Sequence, residues 1–241
     1  MYRERASRIP GVVVWERTRT STDPLRILPD GCLDLIWLGD RLIVAGPDTT
    51  AQVSAGPVGA RYAGVRFAPG LGPVVLGVPA HELRDRQANL SELWPAAQVR
   101  RLADRVAGAA AERWPEAAPR RFAAGAGTVL EEIAADRLGR AEPPDPRIAG
   151  VVSRLRAGAR VDDTADAVGL GARALHRLSR VAFGYGPKTL ARILRLTRAL
   201  DLAREGAPFA SVAVTAGYAD QAHLAREVRA LAGVPLGALI S

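Results

Sequence analysis

Arg173, His176, Arg177 and Arg180 succeed one another at i, i+3, i+4 and i+7, the spacing that puts four side chains on one face of a helix. Leu175, Leu178 and Ala182 fall on the opposite face. A guanidinium presents a planar fork of donors that matches O6 and N7 of guanine, or a phosphate, in a bidentate way. A second stretch opens with Gln221 and continues with Ala222, Arg226 and Arg229. The amide of glutamine pairs in the same manner with N6 and N7 of adenine. Each such pair contributes about 1–3 kcal/mol of base discrimination. The chemistry on offer is recognition of a polyanion whose base edges are exposed in a groove.

Other chemistry has less to work with. His81, His176 and His223 lie far apart and in no metal-ligand spacing. Neither a phosphate-binding Gly-Lys-Ser/Thr loop nor a nucleophile elbow is found. The expectation is therefore no catalytic residue, no metal and no cofactor, and an enzyme is the weakest functional reading. Cys32 is the single cysteine, which fits a reducing cytoplasm. It reads as a buried structural thiol or as a sensor, the former being the commoner case. Trp15, Trp37, Tyr62 and Arg66 read either as the lining of an effector cavity or as ordinary core with one solvated arginine. Trp94 and Trp114, beside prolines, read as packing anchors.

Charge supports the polyanion. Residues 1–146 carry 19 basic and 18 acidic side chains, residues 147–241 carry 14 and 7, so nearly all of the net +8 sits in the last 95 residues. No acid occurs between Asp166 and Asp201, a stretch that holds Arg173, Arg177, Arg180, Lys188, Arg192, Arg195 and Arg198. A solvated helix face ordinarily mixes signs; a one-signed stretch calls for a counter-charge such as phosphate. No run approaches the roughly 20 apolar residues of a membrane span, so no membrane partner is expected.

The elements that must position these residues divide the chain. Residues 12–15, 33–38, 42–44 and 62–67 are β-rich runs separated by turn signals such as Pro29-Asp30-Gly31 and Gly46-Pro47-Asp48. They predict a small antiparallel β-barrel or sandwich. Stretches 80–94, 96–114 and 118–138, punctuated by Pro95, Pro115 and Pro119, predict helices that cover the sheet or mediate dimer contacts. Three prolines within residues 141–146 make a linker, which sets a domain of 1–140, with a helical extension over 95–140, against an all-α domain of 147–241.

The second domain repeats itself. Leu175, Arg177, Arg180 and Gly184 recur 49 residues later as Leu224, Arg226, Arg229 and Gly233. Each copy has a short helix (161–168 and 208–216), a glycine stop at Gly169 or Gly217, a brief turn, and a second helix, with Asp220 placed as an N-cap in the second copy. A long helix from Pro187 to Arg204 bridges them, with Leu190, Ile193, Leu194 and Thr197 on one side and Arg192 and Arg195 facing outward. The grammar is that of two helix-turn-helix units, whose second helices enter the major groove, about 34 Å apart along one face of the duplex.

Residues 148–239 resemble the DNA-binding domain of the AraC family. The resemblance rests on Gly169-Leu170-Gly171-Ala172-Arg173-Ala174-Leu175, on Phe183-Gly184-Tyr185-Gly186-Pro187-Lys188, and on the run from Ala216-Gly217-Tyr218 through Asp220-Gln221-Ala222-His223-Leu224 to Glu227. It implies base reading by Arg173, His176 and Arg177 in the first unit and by Gln221, Ala222 and Arg226 in the second. Ser179 and Val228 stand where the family has phenylalanine, and Ala222 where it commonly has a polar base contact, so the second unit is expected to anchor on phosphates more than it reads. Pro29-Asp30-Gly31-Cys32-Leu33-Asp34-Leu35 and Gly64-Val65-Arg66-Phe67-Ala68-Pro69-Gly70 resemble an uncharacterised domain found ahead of such readers.

The expectation that follows is a cytoplasmic bacterial transcription regulator. Its partners would be double-stranded DNA, a small-molecule effector, RNA polymerase and a second copy of itself. The alternative is an effector-independent DNA-binding protein whose first half only oligomerises.

Overall fold

The computed structural model describes residues 1–112 and 125–240. Its first half contains strands β1 (Tyr2–Ala6), β2 (Val12–Thr18), β3 (Leu25–Ile27), β4 (Leu33–Trp37), β5 (Leu42–Ala45), β6 (Gln52–Ser54), β7 (Arg61–Phe67) and β8 (Gln87–Asn89). They form an antiparallel six-stranded sheet in the order β1-β2-β7-β4-β5-β8 and a separate ribbon, β3-β6. The β-rich first domain with covering helices, followed by a helical second domain, is the architecture expected. Within the sheet the strands are ordered from β1 at one edge to β8 at the other.

Alternation decides which face is buried. Val12 and Val14 on β2, Leu33, Leu35 and Trp37 on β4, and Val65 and Phe67 on β7 share one face and form the core. Helices α1 (Gly72–Leu76), α2 (Ala96–Glu112) and α3 (Ala126–Arg140) supply the rest of that core through Leu76, Val99, Val106, Leu130 and Ile133. Trp94 anchors this layer as expected: its indole N–H donates to the Leu76 carbonyl at 2.9 Å and the Arg137 guanidinium lies 4.5 Å from its ring centroid.

The helix expected over 80–94 is not formed. Two short 3-10 turns, Ala80–Glu82 and Leu90–Glu92, flank β8, and Asp85 between them takes a left-handed backbone, φ 57°. Helix-forming composition loses here to edge pairing with β5, which lets Ala88 and Leu90 reach the core. The helix expected over 96–114 is found to residue 112; that over 118–138 is found from residue 126. Trp114, Pro115 and Pro119 lie outside the described residues.

Glu131 pins β1 to α3. Its carboxylate is almost fully buried and accepts from Arg5 Nη2 at 2.8 Å, from the Ser7 hydroxyl and from the Arg8 backbone N–H. Burial alone would raise its pKa, but these donors outweigh it and hold the carboxyl down at about 2. A group depressed from 4.5 contributes stability that is present above pH 4.5 and lost as pH falls toward 2. Glu131→Gln is expected to cost about 2 kcal/mol at neutral pH and to flatten the acid limb of thermal unfolding followed by circular dichroism. A variant with the wild-type melting point at pH 7 would remove this brace from the account.

The second half contains α4 (Arg147–Arg156), α5 (Val161–Ala167), α6 (Ala172–Phe183), α7 (Pro187–Arg204), α8 (Phe209–Ala216) and α9 (Gln221–Ala232). The proline-rich stretch 141–146 lies between the end of α3 and the start of α4 and is neither helix nor strand. Helices α4-α5-α6 and α7-α8-α9 are the two copies of the repeat. Helix α7 serves both: Leu190, Ile193 and Leu194 join the core of the first unit, Leu196, Ala199, Leu200 and Ala203 that of the second.

Candidate nucleic-acid interface

Each unit is a short helix, a tight turn and a second helix. Gly169 (φ 68°) follows α5 and Gly217 (φ 88°) caps α8, a left-handed conformation that only glycine adopts without strain. Asp220 caps α9 as expected, its Oδ1 accepting from the His223 N–H at 2.6 Å. Leu175 and Phe183 bury one side of α6, Leu224, Val228 and Leu231 one side of α9. What remains faces solvent.

On α6 the outward residues are Arg173, His176, Arg177 and Arg180, with Val181 beside them at 48% exposure. Arg173, Arg177 and Arg180, with Lys188 at the start of α7, form no hydrogen bond or ion pair among the described residues. His176 differs: its Cδ2 and Nε2 lie against Gly186, which has no side chain to displace them. It packs over the α6–α7 turn as well as facing out. On α9, Gln221, Ala222, Arg226 and Arg229 are exposed and equally uncommitted. The nine residues expected at the interface thus fall into two groups, one per unit, each on the outer surface of a second helix or just after it.

Arg192 and Arg195, expected to face outward, do so only in part, because each is engaged by the second unit. Arg192 Nε and Nη2 grip both oxygens of Glu227 at 2.9 and 3.0 Å, and the Arg195 guanidinium sits 5.4 Å from the Tyr218 ring centroid. Both tie α7 to the second unit. Helical spacing says which residues share a face; it does not say whether another helix lies over that face. The hydrogen bond from Arg192 is the main reason the Glu227 carboxyl is held below its ordinary range. Glu227→Ala would leave Arg192 half-buried without its partner and free the start of α9. About 1 kcal/mol is expected from this partly exposed bidentate pair, seen as a roughly fivefold loss of DNA affinity at unchanged helix content. Glu227→Gln should keep most of that affinity, and equal losses in the two variants would count against a bracing role.

The four residues assigned to an effector pocket are separated by register. Trp15 pairs with Gly64, Arg17 with Tyr62, and Asp34 with Arg66, so Trp15, Tyr62 and Arg66 share the face opposite the core. Trp37 pairs with Ala63 and points the other way, into the core at 6% exposure. The indole of Trp15 lies over Gly64, where any Cβ would overlap it, and its N–H donates to Asp34 Oδ1 at 2.6 Å. Arg66 Nε reaches Asp34 Oδ2 at 3.3 Å and Asp30 Oδ2 at 3.5 Å. Burial opposes the charge on Arg66, but Asp34 and Asp30 outweigh it and keep the guanidinium protonated. Burial, followed by Asp30 and Asp34, pushes the Cys32 thiol well up, so it is a neutral thiol and a poor nucleophile.

Residues 164–240 match the family described as a helix-turn-helix domain. The chain carries an AraC-type helix-turn-helix domain. Ahead of the AraC-type domain, residues 12–89 match a domain of unknown function (DUF6597). No curated protein matches the chain. Among solved structures, ToxT from Vibrio cholerae bound to (E)-4-(8-methylnaphthalen-1-yl)but-3-enoic acid superposes with a TM-score of 0.50 at 10% identity, over 99% of this chain and 98% of that one. Unsaturated fatty acid bound wild-type ToxT from the same organism gives 0.45 at 9% identity, over 95% and 94%. A probable AraC family transcriptional regulator from Rhodopseudomonas palustris gives 0.35 at 20% identity, over 40% of this chain and 95% of that one. At these identities the likeness is one of fold. The AraC-type domain makes the chain a DNA-binding transcription regulator. No helix among the described residues is long and apolar enough to cross a membrane.

Proposed function

We propose that the protein is a sequence-specific transcription regulator acting in the cytoplasm, in which residues 147–241 read two successive major-groove segments. Residues 1–140, joined through 141–146, respond to a small-molecule effector. The observation that carries the reading is the pair of outward helix faces whose charged side chains have no partner among the described residues. Arg173 and Arg177 suit guanine, Gln221 suits adenine, and the methyl group of Ala222 suits the thymine methyl. His176 and Arg226 complete the two base-reading sets, while Arg180, Lys188 and Arg229 lie further along and suit phosphates, fixing register. Helices α2 and α3 are the surfaces proposed for a second copy or RNA polymerase.

For the effector, Trp15, Tyr62 and Arg66 make a face with aromatic surface and, with Arg17, two cations. ToxT, of like fold, was solved with a butenoic acid derivative, so carboxylic acids are the first class to try. A specific observation favours the alternative in which DNA binding needs no effector: Trp15, Asp34 and Arg66 already satisfy one another.

The test is fluorescence anisotropy on DNA flanking the protein's own gene, at several salt concentrations, against scrambled DNA. Tight binding to one segment, with log affinity falling steeply and linearly in log salt, supports the reading. Equal weak binding to every sequence counts against base recognition.

A further inference from the structure

One short segment of the β-rich domain touches both helix-turn-helix units. Pro47 fills the space beside Gly184, where a Cβ would stand 2.6 Å from its ring. Four residues on, the Ala51 N–H donates to the Leu231 carbonyl at the end of α9, 2.7 Å away. The neighbouring ribbon adds Arg26 Nη1 to the Ala232 carbonyl at 2.8 Å. Asp48 belongs to this segment, next to Pro47 and three residues before Ala51.

Its surroundings are acidic. Asp85 faces it from the loop before β8, with Asp30 and Asp34 behind, from the turn into β4 and β4 itself. The Asp85 carboxylate takes the Thr49 N–H and hydroxyl at 2.6 and 2.8 Å and pairs loosely with Arg84 at 3.6 Å. Arg66 on β7 is already shared by Asp30 and Asp34. Gln52 offers Asp48 a side-chain hydrogen bond, the Cys32 thiol is neutral, and His81, on the turn that packs against α6, buries an unpartnered Nδ1. From the first unit comes Tyr185. It is 3% exposed, its hydroxyl is buried with no hydrogen-bond partner among the described residues, and Asp30, Cys32, Asp48 and Asp85 all lie within its field. Carboxylates outnumber cations on this side of the contact, and the group that closes it off is an unsatisfied donor.

We propose that this cluster is a proton-operated latch: Asp48 holds a proton while the β-rich domain is docked on both helix-turn-helix units, and loss of that proton loosens the 47–51 segment from them. Burial, then Asp85, Asp30 and Asp34, raises the Asp48 carboxyl to about 7 from an ordinary 3.8. Asp85, Asp30 and Asp34 belong to the same β-rich half and stay beside Asp48 on release, so only burial under the helices is relieved, and docking takes up part of a proton. It is strongest at acid pH, weakens by less than about tenfold per unit as pH rises toward 7, and levels off above that. A regulator built this way presents its two recognition helices differently on the two sides of neutrality.

The Ala51 amide is a direct reporter, because its hydrogen bond crosses the contact. Hydrogen–deuterium exchange of the full chain between pH 5 and 8, corrected for intrinsic rates, gives its protection factor, with the Leu175 amide inside the first unit as control. In the wild type Ala51 protection should fall severalfold, and by at most about fiftyfold, from pH 5 to 7 while Leu175 stays protected. Asp48→Asn should hold the acid value throughout. Should that variant misfold, Asp85→Asn removes the foremost neighbouring charge and should move the transition to lower pH. A flat wild-type profile, an undiminished slope in Asp48→Asn, or an unmoved midpoint in Asp85→Asn overturns the latch. No DNA enters the measurement, so it fails or stands independently of base recognition.

Discussion

Arg177→Ala is expected to weaken binding to the operator by about ten- to a hundredfold while leaving affinity for scrambled DNA nearly unchanged. Arg177 stands in the middle of the outward stripe of α6, exposed and without a partner among the described residues. Its removal leaves no buried charge behind, so protein stability should not change and the loss is one of contact alone. A bidentate arginine–guanine pair supplies about 1–3 kcal/mol, and each 1.4 kcal/mol is tenfold in affinity. Anisotropy titrations of both DNAs at several salt concentrations decide it. Equal weakening on both, with a salt slope smaller by about one, would make Arg177 a phosphate contact and shift the reading role to Arg173 and His176. In the second unit the same comparison at Arg226 should give a smaller difference, because Ala222 beside it offers no hydrogen bond.

Gly46→Ala is expected to unfold or grossly destabilise the β-rich domain, by about 3 kcal/mol or more. A Cβ at residue 46 would fall inside the Leu83 carbonyl and 3.1 Å from the Arg86 carbonyl oxygen. Both obstacles are backbone, which cannot rotate away as a side chain tip would. The Gly46 N–H also donates to Arg86 at 2.9 Å, fixing the loop before β8 against the end of β5. Forcing extra volume into such a contact ordinarily costs about 1–3 kcal/mol, and more where only backbone can yield. Residue 46 directly precedes the segment that docks on both helix-turn-helix units, so melting there should also release them. The check is a thermal melt by near-ultraviolet circular dichroism, in which tryptophan reports the β-rich domain that holds every described tryptophan. A wild-type melting temperature would show that the Leu83 turn moves aside freely.

Some of this was legible in residue order because the physics is local. The repeat of about 49 residues, the glycines that stop α5 and α8, Asp220 as an N-cap and the outward stripe of α6 all depend on neighbours within a turn or two. Four of the strands announced themselves by β-branched runs. Others did not: β1 is rich in charge, and β3, β6 and β8 are three residues each, held by their partners rather than by propensity.

What residue order determined, then, is the kind of element each segment makes and which side chains share a face of it. Tertiary structure alone decided what lies against that face. Trp15 and Trp37 look alike as strand tryptophans, yet one sits on the face that carries Arg66 and the other in the core. The difference is the parity of pairing with β7, a non-local fact in which a shift of one residue exchanges the two sides of the sheet. Arg192 and Glu227 stand 35 positions apart with nothing between them to announce the pair. Asp30, Asp48 and Asp85 come from three separate loops of the β-rich half, and Tyr185 joins them only where the two halves dock. Burial and opposed charge act through space, and separation along the chain carries no record of either.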